Sequence, residues 1–171
     1  MNLKTNDNRL LGFAPVAPGD FDAAVKVIRQ SFATVAEAFG LTRENCPSHT
    51  SFIEKDRLQR DYDRKDAMFL LLEEFPFKAV GYFSLHRESD TDVELNHVAV
   101  LPEMRHFGYG KLILDTAKTH AKEQGYKRMN IGIVEESTVL KNWYLKNGFV
   151  HDGTRKFDSL PFTVGFMHFD L

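Results

Sequence analysis

Cysteine is nearly absent from this chain: Cys46 stands alone among 171 residues. No internal disulfide can staple the fold, and a reducing, cytoplasmic setting is the expectation. An excess of one charge is also missing. Twenty-two basic side chains against twenty-four acidic ones leave a formal net charge of −2, too weak a field to hold nucleic acid or an anionic membrane. Apolar runs such as Met68 to Leu72 are far too short to cross a bilayer, and Met1 to Arg9 is polar, unlike a secretion signal. Metal-binding spacing is lacking too. His49, His86, His97, His106, His120, His151 and His168 form no H-x-x-x-H or Cys-His pattern, so no metal is expected. His97 reads as a hydrogen-bonded core residue and Cys46 as inert packing. No repeat or low-complexity stretch divides the chain, and 43% hydrophobic content over this length suffices for one domain spanning 1–171.

What is present is an alternation of short apolar strands and helical stripes. Leu11 to Pro15 is extended, and Asp20 is placed to cap a helix whose stripe runs through Ala24, Val27 and Ile28 to about Phe32. Between Ala33 and Asp66 the pattern weakens, with short helices expected at Thr34 to Phe39 and around Ser51 to Arg60. The balanced charges of Glu54 to Asp66 read as a solvated helix face. Met68 to Glu73 and Lys78 to Leu85 form an expected antiparallel hairpin. Asp92 to Val100 is a strand, the helix after it carries Ile113, Ala117 and Ala121 and stops at Gly125, and Arg128 to Val134 is another strand. Thr138 to Lys146 is a helix on which Trp143 is expected to pack against the sheet. Phe149 to Lys156 and Pro161 to Phe169 close the chain as a strand pair.

The most informative segment joins the strand at Asp92 to the helix after it. Pro102 is followed by Arg105-His106-Phe107-Gly108-Tyr109-Gly110-Lys111. Glycines here let the backbone turn tightly, and the helix that follows offers unpaired N–H groups at the positive end of its dipole, a natural seat for a pyrophosphate. A G-x-x-x-x-G-K-[ST] loop is excluded, because Arg105 stands where its first glycine belongs and Leu112 where serine or threonine belongs. A G-x-G-x-x-G/A fingerprint fails at Ile113. What remains is Arg-x-x-Gly-x-Gly after an apolar strand. Farther along comes Tyr144-Leu145-Lys146-Asn147-Gly148-Phe149, a helix ending in Tyr-x-x-x-Gly-Phe.

Together these segments resemble the GNAT superfamily of acyl-CoA-dependent N-acetyltransferases, with the opening strand and first helix agreeing more loosely. The resemblance implies an α/β (α+β) fold: a central mixed, mostly antiparallel twisted sheet of about six or seven strands with helices on both faces. It implies acetyl-CoA as co-substrate, its pyrophosphate on the backbone of His106, Phe107, Gly108, Tyr109, Gly110 and Lys111, with Arg105 adding charge. Pantetheine would pair with the main chain of Val98, Ala99 and Val100, one N–H, that of Val98, meeting the thioester oxygen. Tyr144 would be the acid, since a phenol of pKa about 10 is matched to a leaving thiol. Glu94 or Asp92, two apart on one strand face, would be the base. The family's asparagine seven residues before the tyrosine is here Ser137, whose hydroxyl could take over the pantetheine contact.

The reaction so implied is acetyl transfer to a primary amine of a small molecule or peptide. Acceptor choice would fall to Phe32 to Ser51 and Lys156 to Phe166, which hold Phe32, Glu37, Phe39, His49, Phe157, Asp158 and Phe162. A non-catalytic acyl-CoA-binding module needs neither Glu94 nor Tyr144, and a protein binding another nucleotide comes third. Phe162, Val164 and Phe166 alternate with Thr163 and Gly165 as core or as the seam of a homodimer.

Overall fold

A computed structural model describes residues 3–4, 9–74 and 77–171. Its frame is one sheet built from β1 (Leu3–Lys4), β2 (Leu10–Pro15), β3 (Ala67–Glu74), β4 (Phe77–Arg87), β5 (Asp92–Val100), β6 (Arg128–Val134), β7 (Val150–Lys156) and β8 (Thr163–Asp170). The spatial order is β1-β2-β3-β4-β5-β6-β8-β7. Every neighbouring pair is antiparallel except β5 with β6. β1 is a two-residue edge; the other seven strands are those the sequence predicts. The link between β3 and β4 falls at 75–76, outside the described residues.

Among the described residues four helices cover the two faces: α1 (Phe21–Phe39), α2 (Lys55–Asp63), α3 (Tyr109–Glu123) and α4 (Thr138–Lys146). Strands buried on both sides have continuous apolar runs, and β4 is buried from Val80 through Leu85. Phe83 stacks on Phe69, which meets His120 of α3, so odd-numbered residues of β4 face α3. Tyr82, Ser84 and His86 therefore face α1 and α2. Leu11, Ile28, Leu71, Phe83, Ile113 and Met129, each fully buried, belong to the core that joins sheet and helices.

α1 is longer than its apolar stripe predicts. Ser31 is 3% exposed and interrupts the stripe with a polar side chain, yet nothing from Ala33 to Phe39 breaks a helix, so the expected second helix continues the first until Gly40 caps it. Asp20 does not cap with its side chain. Its carboxylate accepts the N–H of Ala17 at 2.9 Å instead. The segment after α1 turns through residues 50–52, and α2 begins four residues later and ends three residues later than expected.

Candidate active site

β5 and β6 run side by side only where Asp92, Val93 and Glu94 pair with Arg128, Met129 and Asn130. Beyond that row the ladder stops, and the two strands part. On its other edge β5 stays paired with β4, but with a bulge: Ser84 opposes Asn96 and Tyr82 opposes Ala99, leaving His97 and Val98 across from Phe83. A bulge bends and twists its strand, and His97 adopts φ +54°, unusual for a bulky residue. The bend falls just past the last paired row, so the edge of β5 carrying Val98 and Val100 turns toward the gap. Both are half-buried, while Ala99 is buried opposite Tyr82.

At the far end of β5 the chain makes a short 3-10 turn, Pro102–Met104, and passes through the glycine loop into α3. His106, Phe107 and Gly108 are exposed; Tyr109 is buried. The two glycines have different duties. Gly108 sits at φ +89°, a conformation that side chains resist. Gly110 lies against Trp143, whose ring would be 3.4 Å from an added Cβ, so it brings α4 up to the first turn of α3. Trp143 packs against the main core, as expected, and also joins α4 to α3. Lys111 is exposed and pairs with Asp115 one turn on.

The structure does not bring the Arg105 guanidinium to this face. It donates to the Ser31 carbonyl at 2.7 Å, to Thr34 Oγ1 at 3.0 Å and to the Val100 carbonyl at 3.3 Å, which straps the loop to α1. Partial burial lowers its pKa. In this conformation Arg105 is a fastener of the loop and its charge is spent inside the fold. These α1 partners are invisible to motif reasoning, since they lie far away in sequence and carry no signature of their own.

Tyr144 occupies the buried side of α4, 5% exposed, against Trp143 and Phe149 at ring separations of 4.9 and 5.2 Å. Burial pushes its phenol well above the usual range, holding it protonated. The end of α4 is pinned by Lys118 of α3, whose ammonium donates to the Asn147 carbonyl at 2.7 Å and lies 3.5 Å from the centre of the Phe169 ring. Ser137 is the N-cap of α4, and its carbonyl accepts from Lys141. At the same end Glu135 binds both Lys141 and His151, and Glu136 accepts the N–H of Thr163, tying α4 to β7 and β8.

Glu94 belongs to the opposite sheet face, in the row His86, Glu94, Asn130, His168. Asn96 Nδ2 donates to its carboxylate at 2.9 Å, leaving the other oxygen for a further partner. Asp92 shares that face but lies about 7 Å farther from the fork, and it accepts from Thr91 Oγ1 at 2.9 Å. Away from the fork, the segment after α1 and the β7–β8 loop meet: Ala36, Leu41 and Cys46 are packed by Phe39, Leu160 and Phe162. Phe162 is thereby part of this small satellite core rather than of the last strand. Among the described residues no group of three or more His, Cys, Asp and Glu is arranged to hold a metal, and no helix is long and apolar enough to cross a membrane.

The architecture is thus an α/β sheet forked between its two parallel strands, with a glycine turn and a helix N-terminus at the end of the fork. The model of the acetyltransferase (GNAT) family matches residues 32–149, and the chain belongs to that family. An uncharacterised N-acetyltransferase of Mycobacterium tuberculosis is 31% identical over 80 residues, 47% of this chain and 51% of that protein. The chain spans about half the length of the curated relatives it matches. Among solved structures, the PaiA N-acetyltransferase of Thermoplasma acidophilum in complex with coenzyme A superposes with a TM-score of 0.73 at 18% identity, over 94% of this chain and 99% of that one. A GNAT family acetyltransferase of Elizabethkingia anophelis with acetyl-CoA bound gives 0.65 at 15% identity, over 94% and 98%. These likenesses show that the fold is shared.

Proposed function

We propose that this protein moves an acetyl group from acetyl-CoA to a primary amine of a small molecule or peptide by direct attack of the amine on the thioester. The observation that carries the reading is the fork itself: β5 leaves β6 after Glu94 and runs unpaired on that edge toward the glycine turn. Pantetheine carries amides in a row and fits such an edge as an added strand. The similar proteins solved with coenzyme A or acetyl-CoA support the same donor here.

Roles follow from position. The backbone of His106 to Lys111 and the first turn of α3 hold the pyrophosphate. Val98, Ala99 and Val100 receive pantetheine, with the Val98 N–H on the thioester oxygen, a preorganised donor worth on the order of 3 kcal/mol. Ser137, at the start of α4, adds its hydroxyl. Glu94 takes the ammonium proton directly or through water, because it stands in the last row before the strands part, whereas Asp92 lies behind it. The amine then attacks the carbonyl carbon, the C–S bond breaks, and Tyr144 gives its proton to the departing thiolate. Burial keeps the phenol protonated but makes it a weaker acid than its ordinary pKa implies, so the match to the leaving thiol holds where the thiolate is buried as well. Thiol release from acetyl-CoA, followed with a panel of primary amines, tests this. Release that depends on the amine is expected; calorimetric binding of acetyl-CoA without release for any amine would leave a binding module.

A further inference from the structure

Resting on that reading, we propose that the acceptor is a primary amine carrying an aromatic ring on a short tether, and that Phe166 is the residue that selects it. Side chains fall in rows across the open sheet face. Glu94, Asn130, His168 and Val150 share one row; the next row on that face beyond the fork is Gly132, Phe166, Gly153. Phe166 is flanked on both sides by bare backbone. Only Val164 Cγ1, at 3.7 Å, comes near an added Cβ on Gly132, and nothing lies within 4 Å of one on Gly153. The ring itself is 39% exposed, although the residues before and after it, Gly165 and Met167, are buried on the other face. An exposed phenylalanine between two glycines is a shelf about one strand wide on either side, open to a flat partner.

Charge settles which end of the ligand goes where. Glu94 has one carboxylate oxygen engaged by Asn96 and the other available, so an ammonium is drawn to the fork. The competing cations nearby are already committed: Arg128 to Asp152, and Arg155 over the Phe157 ring at 4.8 Å. Asp152 is held by His168 at 2.7 Å as well. Two strand spacings across and one side-chain repeat along separate the Cα atoms of Glu94 and Phe166 by about 12 Å. The two side chains take up roughly half of that, which leaves room for a ring joined to nitrogen by about two or three carbons.

The test uses the full chain saturated with coenzyme A, which blocks turnover, titrated by calorimetry with 2-phenylethylamine, tryptamine, n-butylamine, spermidine and lysine. The aryl amines should bind at least tenfold tighter than n-butylamine, and Phe166→Ala should erase that margin without changing coenzyme A affinity. Phe166→Tyr should preserve it, and Phe166→Leu serves if the alanine variant fails to fold. Equal affinities for aryl and alkyl amines, or a margin that survives loss of the ring, overturns the proposal. Aryl amines that bind tightly but release no thiol from acetyl-CoA would sink the transfer reading and leave this one standing; transfer to alkyl amines and polyamines without preference does the reverse.

Discussion

In the proposed reaction single residues carry the chemistry, and each has its own expected failure. Glu94→Gln should lower kcat/KM for the amine by about 10²-fold near neutral pH, and the deficit should shrink at high pH as the acceptor supplies its own free base. Asp92→Asn, one repeat farther from the fork, should cost little. A reversed pattern in pH–rate profiles of the two variants would exchange their roles. His97 offers a stability readout. Its imidazole, on the bulge beside Ser84 at 3.5 Å, has its pKa pushed down to about 4 by burial. The unfolded chain, titrating near 6.5, therefore binds more protons than the folded one between those values. Stability attributable to His97 is complete above about pH 6.5 and falls as pH drops toward 4, by on the order of 2 kcal/mol. Burial lowers His49 in the same direction. Denaturant melts across that window should show the slope, reduced in His97→Gln; a flat profile in the parent protein would mean that His97 titrates normally in the fold.

Elements place these residues, and some placements are easier to read from sequence than others. β5, β6 and α4 have the residue bounds expected of them, because two-residue alternation and helical spacing are local signals. The strap on the glycine loop is different. Arg105 reaches partners 71 and 74 positions away, so its motif position speaks of phosphate while its contacts speak of α1. Arg105→Ala would leave the buried Ser31 carbonyl and Thr34 without their donor. It should cost about 2 kcal/mol, roughly 4–8 °C in Tm for a chain of this size. If the charge instead served the phosphates, coenzyme A affinity would fall with a reduced salt dependence and Tm would hardly move. The length of α1 was similarly hidden, since Ser31 breaks the apolar stripe without breaking the helix. The two loops expected to choose the acceptor do meet, through Cys46, Leu41, Leu160 and Phe162, but no sequence period announces a contact between segments so far apart. Phe166 closes the segment expected to choose the acceptor, but alternation alone cannot tell an open face from a core face and so does not single it out.

At the scale of the whole molecule one topological event dominates: among the described residues the sheet runs through eight strands and opens between β5 and β6. On the proposed reading the opening lies between the Glu94 carboxylate on one face and the buried Tyr144 phenol on the other, with the bulged edge of β5 between them. If acetyl transfer happens in that gap, Tyr144 is required for chemistry and dispensable for holding acetyl-CoA, whose anchors lie in the loop and along β5. Steady-state turnover and calorimetric acetyl-CoA affinity, measured side by side on the parent protein and Tyr144→Phe, test this most directly. The expected result is a fall in kcat of about 10²-fold or more with affinity nearly unchanged. Undiminished turnover in the phenylalanine variant would contradict it.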